Sequence, residues 1–449
     1  MARDRFAVIW TTLPGQPVKM ADMVMTQYET RITYTTDYIA SRLPGVSILA
    51  SPSMFSKSPV IYKAKATIPF YPRLVSMIPS NGANNIQRRI LTKLFDSRGM
   101  SEVDIDWQLL MLTGRNTIGH LDIFPHDDSA IAFYGKESQS VSKDVDRSTL
   151  WGAIRDEINN VPIDDYSVLA EAIGPTPSAN GMIPKMLVAI PNQVEWDGTF
   201  TRAKRFNEDE PELIDVIMKI EPAHYPHSIE LEHLALQLHD KAGFETPRFW
   251  KTQKDGLNIL AIERFDRNVQ GLPLPLEPLF SIFAIGDRQF VSNDSIQLDN
   301  LGERIEKLST VASIYSKAVN KELFRRIVLA LVTGNGDMHM DNISLITRDN
   351  QVEISPIYDP APMRAYSQHD IRFAIPYPIS SNDPKTGVLA LGKSFGISPP
   401  ETLAICEEML GHGKSFLSQV KALKVSEAVK NQLVRVMTIE HELVQTVIK

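Results

Sequence analysis

An aspartate with an asparagine five positions on, in Gly336-Asp337-Met338-His339-Met340-Asp341-Asn342, is the pattern in this chain best suited to chemistry. That spacing is the one used by phosphoryl-transfer loops, where the carboxylate orients the attacking hydroxyl and the amide holds a magnesium ion. A second carboxylate arrives in Ser355-Pro356-Ile357-Tyr358-Asp359. Between them, Ile343-Ser344-Leu345-Ile346 and Val352-Glu353-Ile354 alternate in polarity around the turn-forming Asp349-Asn350, which predicts a β-hairpin. The hairpin would return Asn342 and Asp359 to the same end, as two ligands of one magnesium require. Asp-x-x-x-x-Asn alone is a weak pattern, so the reading depends on the rest of such a site lying upstream.

A phosphoryl-transfer site also needs a cation for the phosphates, a carboxylate to fix it, and a backbone edge for adenine. Lys219 ends the strand-like run Ile214-Asp215-Val216-Ile217-Met218-Lys219. Its side chain either enters a partly buried cleft or snorkels to solvent, the commoner fate of a strand-end lysine. Glu232 follows on a helix with Leu231, Leu234, Ala235 and Leu238 on one face, predicted to be capped by Ser228 and stopped by Gly243. A strand Lys with a Glu on the next helix is the pairing of active kinases. A charge favoured by the helix N-terminus is the plainer account of Glu232.

Residues 257–262 read as a strand ending in Glu263-Arg264-Phe265-Asp266-Arg267, which is either an adenine hinge with free backbone groups or a charged strand end. Pro177-Ser178-Ala179-Asn180-Gly181-Met182-Ile183-Pro184-Lys185 is either a phosphate-facing loop, through Gly181 and Lys185, or a simple turn. His224, His227, His233 and His239 lack zinc-site spacing, and His233 and His239 read as surface helix residues. Neither a Gly-x-Ser-x-Gly elbow nor a dinucleotide glycine fingerprint occurs.

The length of 449 residues suffices for two or three domains with full cores. Hydrophobic content of 43% and charged content of 22% are those of a soluble globular protein. A net charge of -7 argues against general binding to nucleic acid or membrane surfaces. Cys406 stands alone, which rules out an intrachain disulfide or a thiolate cluster and fits a reducing cytosol. Met1-Ala2-Arg3-Asp4-Arg5 leads into a short apolar strand and then Pro14-Gly15, too soon interrupted for a secretory segment. No apolar run approaches the ~18 residues of a membrane span. A cytoplasmic protein is expected.

The elements that would position these residues fall into three stretches. Residues 1–135 mix strands (Phe6-Ala7-Val8-Ile9-Trp10 and Ile32-Thr33-Tyr34-Thr35) with helical spacing over 85–95, and the polar run 126–147 predicts a boundary or surface loop. Residues 136–268, with strands such as Met186-Leu187-Val188-Ala189-Ile190, would form an ATP-binding lobe with its hinge. Residues 269–449 turn mainly helical and would carry the catalytic loop and metal site. There Phe324, Ile327, Val328 and Leu331 share a helical face, and Val429, Leu433, Val436, Leu443 and Val447 form a core stripe. The expected fold class is α+β: a two-lobed protein-kinase-like fold, with a strand-rich N-terminal lobe and a mainly helical C-terminal lobe.

With these residues in order, the chain resembles the HipA family of bacterial serine/threonine kinases, the toxin half of HipA/HipB toxin–antitoxin modules, over nearly its whole length. Leu109-Leu110 with Gly114-Arg115-Asn116-Thr117-Ile118-Gly119 is similar to the family's N-terminal Gly-Arg-Asp-x-x-Gly segment. Leu260-Ala261-Ile262-Glu263-Arg264-Phe265-Asp266-Arg267 is similar to its Glu-Arg-Phe-Asp-Arg hinge, and Ala242-Gly243-Phe244-Glu245-Thr246-Pro247 to its helix exit. The Asp-x-His-x-x-Asn loop from Asp337 to Asn342, with Tyr358-Asp359, resembles its catalytic and metal motifs.

The resemblance implies Asp337 as catalytic aspartate, Asn342 and Asp359 as magnesium ligands, and Lys219 as the ATP lysine with Glu232. It implies Glu263 and Phe265 as the adenine hinge, Gly181, Lys185 and His339 among the nucleotide contacts, and Ser178 as an autophosphorylated serine. Two departures stand at these places: Ile183-Pro184 where members carry Gln and a polar residue, and Asp341 where many carry Lys. The implied protein is an ATP- and Mg²⁺-dependent protein kinase and growth-arresting toxin. A HipB-like helix-turn-helix antitoxin would neutralise it and supply the DNA contact, and an aminoacyl-tRNA synthetase is one substrate class in the family. A small-molecule or lipid kinase, and a catalytically silent corepressor, are the alternatives.

Overall fold

The structure is a computed structural model that describes residues 4–81, 85–95, 97–135, 154–155, 183–204, 206, 210–380 and 382–449. Ser178 and Gly181 lie outside the described residues. Two compact units divide the chain: Met1–His224 with Arg248–Glu277 and Ala284–Gly286, and Tyr225–Pro247 with Pro278–Phe283 and Asp287–Lys449.

The first unit is strand-rich. Arg5–Thr11 (β1), Val18–Met25 (β2), Glu29–Tyr34 (β3), Val60–Lys63 (β4) and Asp122–Phe124 (β5) form an antiparallel sheet in the order β4-β3-β2-β1-β5. The period of two along a strand separates its faces: Ala7 and Ile9, Ala21 and Met23, and Ile32 and Tyr34 are buried, while Phe6 and Ile61 face outward. Thr36–Ser41 (α1), Pro72–Val75 (α2), Ile86–Thr92 (α3) and Glu102–Thr113 (α4) follow within this region. The expected surface loop beginning at residue 126 is instead helical over Asp127–Tyr134 (α5). His126 caps it by accepting the Ser129 amide, and Asp127 and Asp128 complement its positive end. The remainder of that run lies outside the described residues.

A second antiparallel sheet joins Lys185–Pro191 (β6), Thr201–Arg202 (β7), Leu213–Ile220 (β8), Phe249–Lys254 (β9) and Leu257–Glu263 (β10) in the order β7-β6-β8-β10-β9. One face buries Met186, Val188, Val216, Met218, Ile220, Ile259 and Trp250 in a single core. The alternation that buries Met218 and Ile220 turns Lys219 to the opposite face. Leu276–Pro278 forms the short strand β11.

The second unit is mainly helical: Ser228–Lys241 (α6), the first residues of Leu279–Gly286 (α7), Leu298–Leu308 (α8), Ser316–Thr333 (α9), Pro384–Ser394 (α10), Pro399–Ala422 (α11) and Glu427–Ile448 (α12). The predicted hairpin forms as Ser344–Arg348 (β12) and Gln351–Ile354 (β13), with Leu345 opposite Ile354 and Arg348 opposite Gln351. Asp349 and Asn350 both take positive φ, the primed turn that matches strand twist.

Three expectations are corrected here. The α6 cap position is held by His227 at φ 68, whose ring accepts the Ser426 amide, and Ser228 is buried inside the helix. Gly243 does end α6, at φ 78. His239 is buried rather than exposed: Nδ1 meets the Ala235 carbonyl at 2.7 Å and the ring packs on Phe244. On α12 the buried stripe runs through Val444, leaving Leu443 half-buried, because a 3.6-residue period drifts off the chosen positions over six turns.

Candidate active site

The loop bearing Asp337 is built from the exit of α9 onward. Gly334, at φ 75, ends the helix, and the Asn335 amide donates back to the Ala330 carbonyl at 2.9 Å. The Asn335 side chain then accepts the Asp337 amide at 3.0 Å. The Asp337 carbonyl in turn accepts the His339 amide and the Asn342 side-chain amide, both at 2.8 Å. Asp337 and Asn342 are thereby tied within one turn. The Asp341 amide donates to His339 Nδ1 at 3.2 Å, and Nε2 faces Asp337 Oδ1 at 3.9 Å. The Asp341 carboxylate lies 3.6 Å from Nδ1.

The hairpin closes where the Ser355 amide donates to the Ser344 carbonyl at 2.9 Å. Just beyond, the Tyr358 hydroxyl donates to the Asp341 carbonyl at 2.7 Å and meets the Ser344 hydroxyl at the same distance. Burial pushes the Tyr358 phenol well above its ordinary pKa, so it remains a donor. This bond brings Asp359, the next residue, back to the end of the hairpin that adjoins the Asp337–Asn342 loop. Asp359 is buried and held at φ 56, an uncommon conformation for a residue with a side chain. Asn342 directs its nitrogen to Asp337, which leaves its oxygen as an acceptor, and Asp359 adds carboxylate oxygens. These hard oxygen donors fit magnesium. Among the described residues, no group of three or more His, Cys, Asp and Glu side chains is gathered for a metal. Glu232, fully buried on α6, belongs to this same unit.

The other expected residues lie in the first unit. Lys219 on β8 stands directly opposite Lys185 on β6, on the sheet face opposite Met218 and Ile220, and Lys219 is 2% exposed. Glu263 and Phe265 are half-buried at the end of β10. The backbone there is less free than expected, because the Glu263 amide donates to the Arg248 carbonyl and the Arg264 amide to the Asp215 carbonyl. The Glu263 carboxylate is gripped by Arg248 at 2.7 and 3.1 Å.

The charged remainder of this segment has a role that local sequence did not reveal. Asp266 is buried and accepts from Arg264 and from Arg267, each at 2.8 Å, and from the Gly119 amide at 2.7 Å. Burial would raise its pKa, but the two guanidinium groups outweigh it and hold the carboxyl well below the usual range. Arg264 also donates to the Asn116 and Thr117 carbonyls. The Glu-Arg-Phe-Asp-Arg segment therefore anchors the Asn116–Gly119 turn, the other motif singled out in the N-terminal region. Their separation of roughly 150 positions hides the link from any local pattern.

These geometries define a mixed α+β protein with a kinase-like fold. The solved HipA of a Shewanella oneidensis MR-1 toxin–antitoxin system, in complex with HipB and its operator DNA, matches 98% of this chain and 99% of its own, with TM-score 0.61 and 15% identity. The HipA-like C-terminal domain family matches residues 177–415, and the chain belongs to that family. A Haemophilus influenzae protein, named provisionally as a kinase, is 28% identical over 183 residues, or 39% of this chain. That match spans only 53% of the relative's own length. Among the described residues, no helix is long and apolar enough to cross a membrane.

Proposed function

We propose that the chain is an ATP- and Mg²⁺-dependent serine/threonine protein kinase of HipA type. The single observation carrying this reading is the loop in which Asn342 is bonded to Asp337 while Tyr358 ties Asp359 to the same end of the hairpin. Asp337 would orient the acceptor hydroxyl and receive its proton. Asn342 and Asp359 would hold magnesium, which when bound neutralises charge on the nucleotide phosphates. Lys185 and Lys219 stand directly opposite each other on one sheet face, and both would contact the nucleotide phosphates. His339 and Glu232 would join the nucleotide-binding residues, and Glu263 and Phe265 would form the adenine edge.

The matched HipA's complex with HipB supports a helix-turn-helix antitoxin partner, with DNA reached only through it. The same reading makes the chain a growth-arresting cytoplasmic toxin, with Ser178 as its autophosphorylation site and a protein substrate such as an aminoacyl-tRNA synthetase. Three domains, 1–135, 136–268 and 269–449, complete it. Incubating the protein with γ-labelled ATP and a cell lysate tests the assignment. Magnesium-dependent label on protein supports it, whereas label confined to metabolites or lipids would assign another acceptor.

A further inference from the structure

Arg364 follows Asp359 in the chain and is buried with its stem against the loop that presents Asp337. Its amide donates to the Gly334 carbonyl at 3.2 Å. A Cβ at Gly336 would fall 2.8 Å from the Arg364 Cγ and 2.2 Å from the Ile371 carbonyl oxygen, so only glycine lets the loop rest this closely. Beyond the stem, the guanidinium is held by Asp370 at 2.9 Å and by Glu440 at 2.8 Å. Arg372 reaches the same Glu440 oxygen at 3.0 Å, and Arg435 closes on Asp370 at 2.9 Å.

Glu440 is a fully buried carboxylate on α12. Its neighbour His441 places Nε2 at 2.8 Å from the Val332 carbonyl in the last turn of α9. On the same helix, Leu433 lies so near Gly334 that a Cβ there would come within 2.8 Å of its Cδ1. One helix therefore holds both the end of α9 and the arginine wedged beneath Gly336. A buried ion pair is a poor source of stability compared with apolar packing. What it supplies is direction, because a guanidinium fixed by carboxylates cannot swing.

We propose that Glu440 is a positioning residue for Asp337. Acting through Arg364, it fixes the backbone from Gly334 to Asp337 and so the direction in which the Asp337 carboxylate is presented. Its catalytic consequence rests on the kinase reading above; the fixation of the loop does not.

Hydrogen–deuterium exchange on the full chain, wild type against Glu440→Gln, reads the loop without needing activity. Glutamine keeps the shape and removes the charge. The Asn335 and Asp337 amides should exchange at least about tenfold faster, while α11 and the first unit keep their rates. If Glu440→Gln does not fold, the more exposed Asp370→Asn takes its place and should loosen the same amides. Unchanged loop exchange in the folded variant overturns the proposal. So does an equal rise throughout the second unit, which marks a purely structural role. In a phosphoryl-transfer assay the variant should lose roughly tenfold in kcat with KM for ATP unchanged. Wild-type kcat in a variant with a loosened loop overturns the positioning role. Absence of transfer in the wild type overturns the kinase reading and leaves the exchange result to decide this one.

Discussion

The Asn342 side-chain amide donates to the Asp337 carbonyl at 2.8 Å, so the residue expected to hold metal is also a strut of the turn that presents the Asp337 carboxylate. The two roles would use different atoms: the nitrogen braces the loop, and the oxygen would hold the metal.

Asn342→Asp separates them. It keeps an oxygen ligand and removes the donor, setting a carboxylate against a carbonyl. We expect kcat to fall about tenfold or more, as the loss of a hydrogen bond and a new repulsion together imply. Half-saturation by magnesium should stay near the wild-type value. A magnesium titration of the transfer rate checks this; an unchanged kcat would show that the strut is dispensable.

Asp266→Asn should destabilise the first unit by about 3–5 kcal/mol, the usual cost of breaking a buried pair, since Arg264 and Arg267 lose the charge between them. The pH dependence has a definite sign. The folded-state pKa of Asp266 lies below its ordinary 3.8, so its contribution is complete above that value and is lost as pH falls below it. Urea melts at pH 7 and pH 3 should show that the variant's deficit narrows in acid. A deficit independent of pH would contradict this.

Burial pushes the His239 imidazole down to about 4 from its usual 6.5. A depressed pKa means stability that is complete above pH 6.5 and declines as pH falls toward 4. Between pH 7 and pH 4.5 this group alone should cost the second unit roughly 2–3 kcal/mol. His239→Phe should flatten that slope, and parallel slopes for the two proteins in denaturant melts would rule the effect out.

Much of the second unit could be read from the sequence because its signals are local. The hairpin announced itself through alternating polarity and the Asp349-Asn350 turn, and Gly243 marked the end of α6. His239 misled because a helix in the middle of a unit is buried on more than one face, so a polar residue off the apolar stripe need not reach solvent. The pairing of Asp266 with Arg264 and Arg267 was hidden differently. A row of charges at a strand end looks solvated until the Asn116–Gly119 turn folds over it. Arg364 and Glu440, 76 positions apart, carry no periodic signal at all.

The central claim is that Asp337 performs phosphoryl transfer, and the most direct measurement compares wild type with Asp337→Ala using γ-labelled ATP, with nucleotide binding followed in parallel by calorimetry. Removing a positioning base commonly costs ~10²-fold or more in rate. The account predicts such a loss of labelled product with ATP affinity largely retained, because Asp337 would touch the acceptor hydroxyl rather than the nucleotide. Wild-type turnover by the alanine variant would contradict it.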